Sequence, residues 1–426
     1  MSSTPSESVF TYQAPPFKFG PGAIEEVGHD LAQLGATRVL VLTDPGVAST
    51  GIPDSVAAAA RAAGLEVTVY GDVHVEPTDE SFEHAIDFAR GTEWDAFVAV
   101  GGGSVIDTAK AVNLYTSHPA PLMHYVNAPF GDGAPPPGPL KPLVAVPTTA
   151  GTGAESTAVC VLDLLELKVK TGISHSRLRP TLAVIDPLAT HSVPAGVTAA
   201  AGMDILGHAI ESFTARPYTS FARKEPGQRV AYCGSNPVSD LWCERAIAMV
   251  GKAFRRAVDD GDDVEARFDM MLAATFAGMG FGNAGVHVPH ACAYPIAGNV
   301  RDHRPAGYPD GEPLVPHGQA VAVTTPATFR LTYPEAPQRH VDVATWLDPE
   351  AAADTADDRE KLPAALNRLM SDIGIPNGLS ALGYGEDDLP TLVAGAAKQH
   401  RLLSIAPLDV TEADLHQVLS QSMTNW

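Results

Sequence analysis

Three short strand-like runs, 37–43 (TRVLVLT), 65–70 (LEVTVY) and 95–100 (DAFVAV), are separated by helix-like stretches at 53–63 and 79–90. Strands that alternate with helices at this spacing predict a parallel sheet covered on both faces. Further strand signals lie at 143–146 and 182–185. After about Pro194 the pattern changes: 241–258 and 264–279 are Ala/Leu/Met-rich with helical periodicity, and alternating β-branched runs are few. The expected fold class is therefore α/β plus all-α, with an α/β domain over 1–194 and an all-helical domain over 195–426. A chain of 426 residues exceeds what one small core needs, so two domains are the ordinary expectation. Pro/Gly-rich stretches at 128–142 and 301–316 are predicted loops.

Charge and cysteine usage narrow the function. A formal net charge of −22 opposes broad contact with phosphate backbones or anionic lipid, so the expected partners are small molecules, with no nucleic acid and no membrane. A homo-oligomer is compatible with this. The four cysteines, Cys160, Cys233, Cys243 and Cys292, form no C-x-x-C pair, which signals neither a disulfide framework nor a zinc ribbon. The N-terminal MSSTPSESVF has neither a basic apolar leader nor an Arg-rich amphipathic pattern. The expected location is cytoplasmic.

The third strand runs into Gly101-Gly102-Gly103-Ser104 and opens into a helix. Backbone N–H groups at such a turn can approach a phosphate because no Cβ blocks them, and the helix dipole favours the anion. A second small-residue loop, Pro147-Thr148-Thr149-Ala150-Gly151-Thr152-Gly153, follows another strand. Asp44, at the end of the first strand, could accept from a ribose diol and repel a 2′-phosphate, which favours NAD over NADP. The structural alternative is that Asp44 and the threonines are helix caps. G-x-G-x-x-G is absent.

In the second half, Asp204 and His208 are four apart and project from one helical face; His287, His290 and His317 follow downstream. An Asp/His pair at this spacing is also an ordinary solvated pair. Joined, one Asp and three His make a mixed oxygen/nitrogen donor set suited to Fe²⁺, or alternatively Zn²⁺.

Gly101-Gly102-Gly103-Ser104 with Asp107 and Lys110, Pro147-Thr148-Thr149-x-Gly151-Thr152-Gly153-x-Glu155, and Gly202-x-Asp204-x-x-x-His208-x-x-Glu211 occur in the order found in iron-containing (group III) alcohol dehydrogenases, which the chain resembles over nearly its whole length. The resemblance implies a Rossmann-like nucleotide domain and a helical metal-binding domain. It implies metal ligands at Asp204, His208, His290 and His317. It also implies NAD contacts from Asp44, Gly102, Gly103, Ser104, Thr148, Thr149 and Lys168, with Asp107 in the same motif. Stretches 12–20, 167–173, 234–240 and 276–287 resemble the hydroxyacid-oxoacid transhydrogenase branch. That branch implies hydride transfer via bound NAD(H) from a 4-hydroxybutyrate-like hydroxyacid to a 2-oxoglutarate-like oxoacid. Alternatives are an ordinary NAD-dependent alcohol dehydrogenase with exchangeable cofactor, and a transient-redox lyase of dehydroquinate-synthase type.

Many relatives carry a histidine four residues after the third ligand; here Tyr294 stands there, and its hydroxyl can pass a proton. The catalytic candidates are Tyr294 and His287. A long insert separates His290 from His317. Substrate carboxylates call for a cation, for which Arg229 is the first candidate and Arg216, Arg223 and Lys170 the reserves.

Overall fold

The computed structural model describes residues 5–167, 169–230, 232–308 and 313–426. It contains two compact units, Ala14–Ser192 and Met1–Gln13 with Val193–Trp426.

The first unit carries strands β1 (Phe17–Phe19), β2 (Arg38–Leu42), β3 (Glu66–Tyr70), β4 (Ala96–Gly101), β5 (Leu143–Pro147), β6 (Val159–Leu164), β7 (Val169–Ser174) and β8 (Leu182–Ile185). Six of them form one parallel sheet in the order β1-β8-β5-β4-β2-β3. The central strands read as nearly continuous apolar runs because both faces are covered. Val39, Val41, Val98, Val100, Val144 and Val146 pack on one side with Val27, Leu31, Val56 and Ala60. Leu40, Leu42, Phe97, Ala99 and Ala145 pack on the other with Phe82, Ile86, Val105 and Ile106.

The sequence signals missed β1, and they missed the antiparallel β6–β7 hairpin. A three-residue edge strand is too short to show a period. The hairpin is held by a charge the periodicity does not display: Lys110 Nζ, fully buried on the helix Gly103–Ser117, donates to Val159 O at 2.7 Å and Thr157 Oγ1 at 2.9 Å and faces Asp107 at 3.3 Å.

The second unit is helical. Its central helix, Ala195–Thr214, is buried almost all round, as an element apolar on every side must be. It packs on Pro237–Asp259, Val264–Ala284 and His317–Ala322. Asn236 starts the first of these by accepting from Ser239 N, with Pro237 at the first helical position. The predicted loops hold no helix or strand among their described residues. Residues expected at the start of the α/β domain instead join the helical unit: Glu7 N donates to Phe221 O at 2.8 Å, and Gln13 exchanges two hydrogen bonds with the Asn283 side chain.

Lys110→Met should lower the chemical unfolding midpoint at neutral pH, with a loss of about 3 kcal/mol, because it strands the Asp107 carboxylate and leaves the hairpin carbonyl of Val159 without its donor. An unchanged midpoint would show that the amino group does not hold the hairpin.

Candidate active site

In the first unit, the topology brings three of the expected loops to one sheet edge. From β2 the chain moves outward to β3, and from β4 it moves the other way to β5, so the adjacent carboxyl ends of β2 and β4 flank a topological switch point. Asp44 follows β2, Gly102 and Gly103 follow β4, and Thr148 and Thr149 follow β5. The two small-residue loops interlock: a Cβ on Gly102 would sit 3.2 Å from Thr149 Oγ1, and one on Gly103 would sit 2.8 Å from Thr152 Cγ2. The hydroxyls of Thr43 and Thr148, at the ends of β2 and β5, are buried without a hydrogen-bond partner. Ser104 Oγ accepts from Glu76 N at 3.0 Å, an occupied lone pair that leaves its proton free to be donated.

Two expected cofactor residues have other duties. Asp44 Oδ1 caps a short helix by accepting from Val47 N at 2.9 Å. Asp107 does not face the glycine turn. Its carboxylate is spent inside the unit on Val161 N and Lys110, because its position on the helix turns it toward β6. Lys168 lies outside the described residues.

In the second unit, Asp204 Oδ1 stands 3.7 Å from His208 Nε2, 3.6 Å from His290 Nε2 and 3.7 Å from His317 Nε2. These separations are too long for hydrogen bonds and nearly equal, as donors sharing one ion would be; tetrahedral ligands at roughly 2.1 Å lie roughly 3.4 Å apart. Asp204 Oδ1 and His290 Nε2 are buried with no hydrogen-bond partner, an arrangement that costs free energy unless something completes it. Donor atoms of Asp204, His290 and His317 all fall within 4.8 Å of one another. Those three fit a divalent cation, and His208 lies outside the set, reaching Asp204 Oδ1 alone at 3.7 Å.

Each candidate donor is placed by close packing. The Asp204/His208 pair comes from the central helix, His290 from Val288–Gly298, and His317 from the start of His317–Ala322. Gly318 lets the last helix touch the first, since a Cβ there would fall 1.8 Å from Ala200 O. His208 stacks on Phe281 at 3.8 Å between ring centroids. Burial pushes the His208 imidazole down to about 3. Burial also works against charge on Asp204, but His208, His317 and His290 hold its carboxyl below the usual range. For His290 burial is outweighed by Glu211 and Asp204, which raise it to about 9.

Residues 15–187 match the family described as iron-containing alcohol dehydrogenase, and 230–423 match the C-terminal part of the Fe-containing alcohol dehydrogenase family. The chain belongs to the iron-containing alcohol dehydrogenase family. It is an enzyme of the oxidoreductase class. Among its relatives is the mitochondrial hydroxyacid-oxoacid transhydrogenase of Mus musculus, 46% identical over 410 residues that cover 95% of this chain and 88% of that protein. A probable mitochondrial hydroxyacid-oxoacid transhydrogenase of Dictyostelium discoideum is 41% identical, covering 98% and 80%. Among solved structures, a 1,3-propanediol oxidoreductase superposes with a TM-score of 0.84 at 32% identity, over 97% of this chain and 100% of that one. The sulfoacetaldehyde reductase of Bifidobacterium kashiwanohense, in complex with NAD+, gives a TM-score of 0.80 at 26% identity, over 97% and 98%.

Within this family member, Tyr294 lies one helical turn beyond His290, its ring 6.2 Å from that of His317. His287 is fully buried: its backbone N–H donates to Glu211 Oε2, and its Nε2 faces Thr214 Oγ1 at 3.3 Å. The insert before His317 packs on the entry to the central helix, where a Cβ on Gly196 would fall 2.1 Å from Ala306 O. Glu211, which the sequence showed only as part of a motif, meets His290 Nδ1 at 2.6 Å. Its spacing from His208, three residues on the same face, was the available signal.

Arg229 does not stand free for a substrate. Its guanidinium donates to Glu7 Oε2 at 2.7 Å, Val9 O at 2.8 Å and Lys224 O at 3.2 Å. That hydrogen bond, ahead of three backbone donors and against burial, pushes the Glu7 carboxyl down to about 2. The tie is therefore complete above the carboxyl's ordinary value and is lost as pH falls toward 2. Arg229→Met should speed hydrogen exchange in residues 6–9 while keeping the ratio of turnover on a hydroxyacid and an uncharged alcohol within about twofold. A loss of tenfold or more confined to the acid would restore Arg229 as the carboxylate anchor.

Proposed function

We propose that the chain transfers hydride between a 4-hydroxybutyrate-like hydroxyacid and a 2-oxoglutarate-like oxoacid through NAD(H), using one divalent ion, Fe²⁺ with Zn²⁺ as the alternative, held by Asp204, His208, His290 and His317. The observation that carries this reading is the buried Asp204 Oδ1, without a hydrogen-bond partner and set among three imidazole Nε2 atoms. A bound divalent ion supplies a Lewis acid that lowers the pKa of an alcohol and polarises a carbonyl. The protein's own groups do the rest. Gly102, Gly103, Ser104, Thr148 and Thr149 would receive the dinucleotide at the sheet's carboxyl edge, and Asp44 would select NAD. His317 is the most exposed ligand, its side chain 25% accessible against 6% or less for the other three, so substrate would approach beside it. Tyr294, whose ring centroid lies 6.2 Å from that of His317, would take the alcohol proton.

The transhydrogenase names of the relatives favour a cofactor that stays bound, reduced by the hydroxyacid and reoxidised by the oxoacid. No described helix is long and apolar enough to cross a membrane. The four free cysteines suit the reducing, cytoplasmic setting expected from the sequence, whereas the relatives' names say mitochondrial.

The purified protein, given 4-hydroxybutyrate and 2-oxoglutarate without added NAD, should form succinate semialdehyde and 2-hydroxyglutarate in equal amounts. Chelation should abolish this, and Fe²⁺ should restore it. Turnover that requires added NAD and releases NADH would identify an ordinary alcohol dehydrogenase. Asp44→Asn keeps an acceptor for Val47 N but removes the charge, so it should narrow the preference for NAD over NADP by about tenfold. An unchanged ratio would take Asp44 out of cofactor selection.

A further inference from the structure

Glu211 is fully buried on the central helix, two turns beyond Asp204 and one beyond His208. A carboxylate placed there without partners would be strongly destabilising. It has two, one for each oxygen: Oε1 meets His290 Nδ1 at 2.6 Å, and Oε2 accepts from His287 N at 2.6 Å. The same helix fixes the turn before His290 at two more points. Ser212 Oγ donates to Gly285 O at 2.7 Å, and Thr214 Oγ1 lies 3.3 Å from His287 Nε2. Gly285 takes φ +94°, and a Cβ there would also crowd Tyr232 at 3.1 Å, so the chain can make this turn only with glycine.

We propose that Glu211 is a positioning residue for the cation: it fixes the proton of His290 on Nδ1, leaves the Nε2 lone pair, 3.6 Å from Asp204 Oδ1, free for the cation, and anchors the start of the helix that carries His290. The inference rests on the reading that Asp204, His208, His290 and His317 hold a divalent ion. Its physical basis is the number of acceptors. A neutral imidazole has one N–H, and the nitrogen without it is the one that can ligate. A carboxylate beside Nδ1 stabilises the tautomer whose Nε2 is free, and it makes that nitrogen a better donor to a metal. Both neighbours of Glu211 present N–H groups, so the site needs two acceptors. Glutamine offers one acceptor and one donor. In Glu211→Gln either His287 N–H loses its partner, or the amide donates to His290 Nδ1 and drives the proton onto Nε2, where it blocks the cation. Gly207 lies beside this contact and lets Val321 approach, since a Cβ there would stand 2.7 Å from Val321 Cγ1.

The test uses the full chain, stripped of metal and titrated with Zn²⁺ or Co²⁺ against a competing chelator. Glu211→Gln should weaken binding roughly tenfold to a hundredfold and shift the visible bands of the Co²⁺ protein. If Glu211 only supports the fold, the variant will have a lower melting midpoint without metal but unchanged affinity and an unchanged Co²⁺ spectrum, and the proposal is overturned. Should the variant not fold, ¹⁵N-histidine spectra of the wild-type Zn²⁺ protein decide: His290 protonated on Nδ1 and ligating through Nε2 supports it, and ligation through Nδ1 refutes it. A wild-type chain that binds neither ion would overturn the metal reading and this inference together, whereas equal affinities in wild type and Gln variant would overturn this inference alone.

Discussion

A single buried oxygen organises the helical unit. Asp204 Oδ1 has three imidazoles around it and a hydrogen bond to none, and an unpaired carboxylate at this depth is tolerated only where something else satisfies it. Around that point the packing is unusually close. The central helix meets its neighbours through glycines, Gly202 beneath the Phe254 ring and Gly318 against Ala200 O, where an added methyl group would collide. Without those approaches the three chain segments that supply the donors could not converge on one oxygen. Composition and chemistry are linked here: small residues set the distance between helices, and that distance sets the donor geometry.

The α/β unit solves a different problem, how to gather backbone donors at an edge. Parallel strands all end on the same side, so loops far apart in sequence arrive together without any contact chosen for the purpose. What is specific is the interlock. Gly102 and Gly103 leave space that Thr149 and Thr152 fill, and the hydroxyls of Thr43 and Thr148 remain unbonded at the ends of their strands. Glu76, the one described non-glycine residue at positive φ (57°), adds to this edge from the β3 side by donating its N–H to Ser104. Backbone strain at such a place fits a loop shaped around a ligand.

Legibility in the sequence followed periodicity and failed with charge. The parallel sheet and the long helices were readable because apolar spacing is a local property, and candidate donors could be named because the family resemblance supplies residue type and order; three of them, Asp204, His290 and His317, converge. The β6–β7 hairpin was not, since its anchor is Lys110, a buried cation that looks like any helical lysine. Arg229 shows the same limit from the other side. Beside polar residues it resembled a substrate anchor, but its partner Glu7 lies 222 positions away in the chain, and no local pattern reports such a pairing.

The reserve cations show why an arginine's role must be read from its partners. Lys170 is only 4% exposed and is held by Glu76 and by Asp163 at 3.0 Å. Burial opposes its charge, and those two carboxylates raise its pKa above the usual lysine range. Withdrawing either would leave a charge in a medium that cannot solvate it, so this cluster is fixed. Arg216 differs: its Nη2 pairs with Asp409, a carboxylate 96% exposed, while its Nε donates to Ala406 O at 3.1 Å. An exposed pair contributes roughly 0–1 kcal/mol. Arg216 could thus exchange partners at little cost, and Lys170 could not. In a chain with a net charge of −22, carboxylate partners are plentiful, and a cation's availability for a ligand is decided by how weakly the existing partner binds.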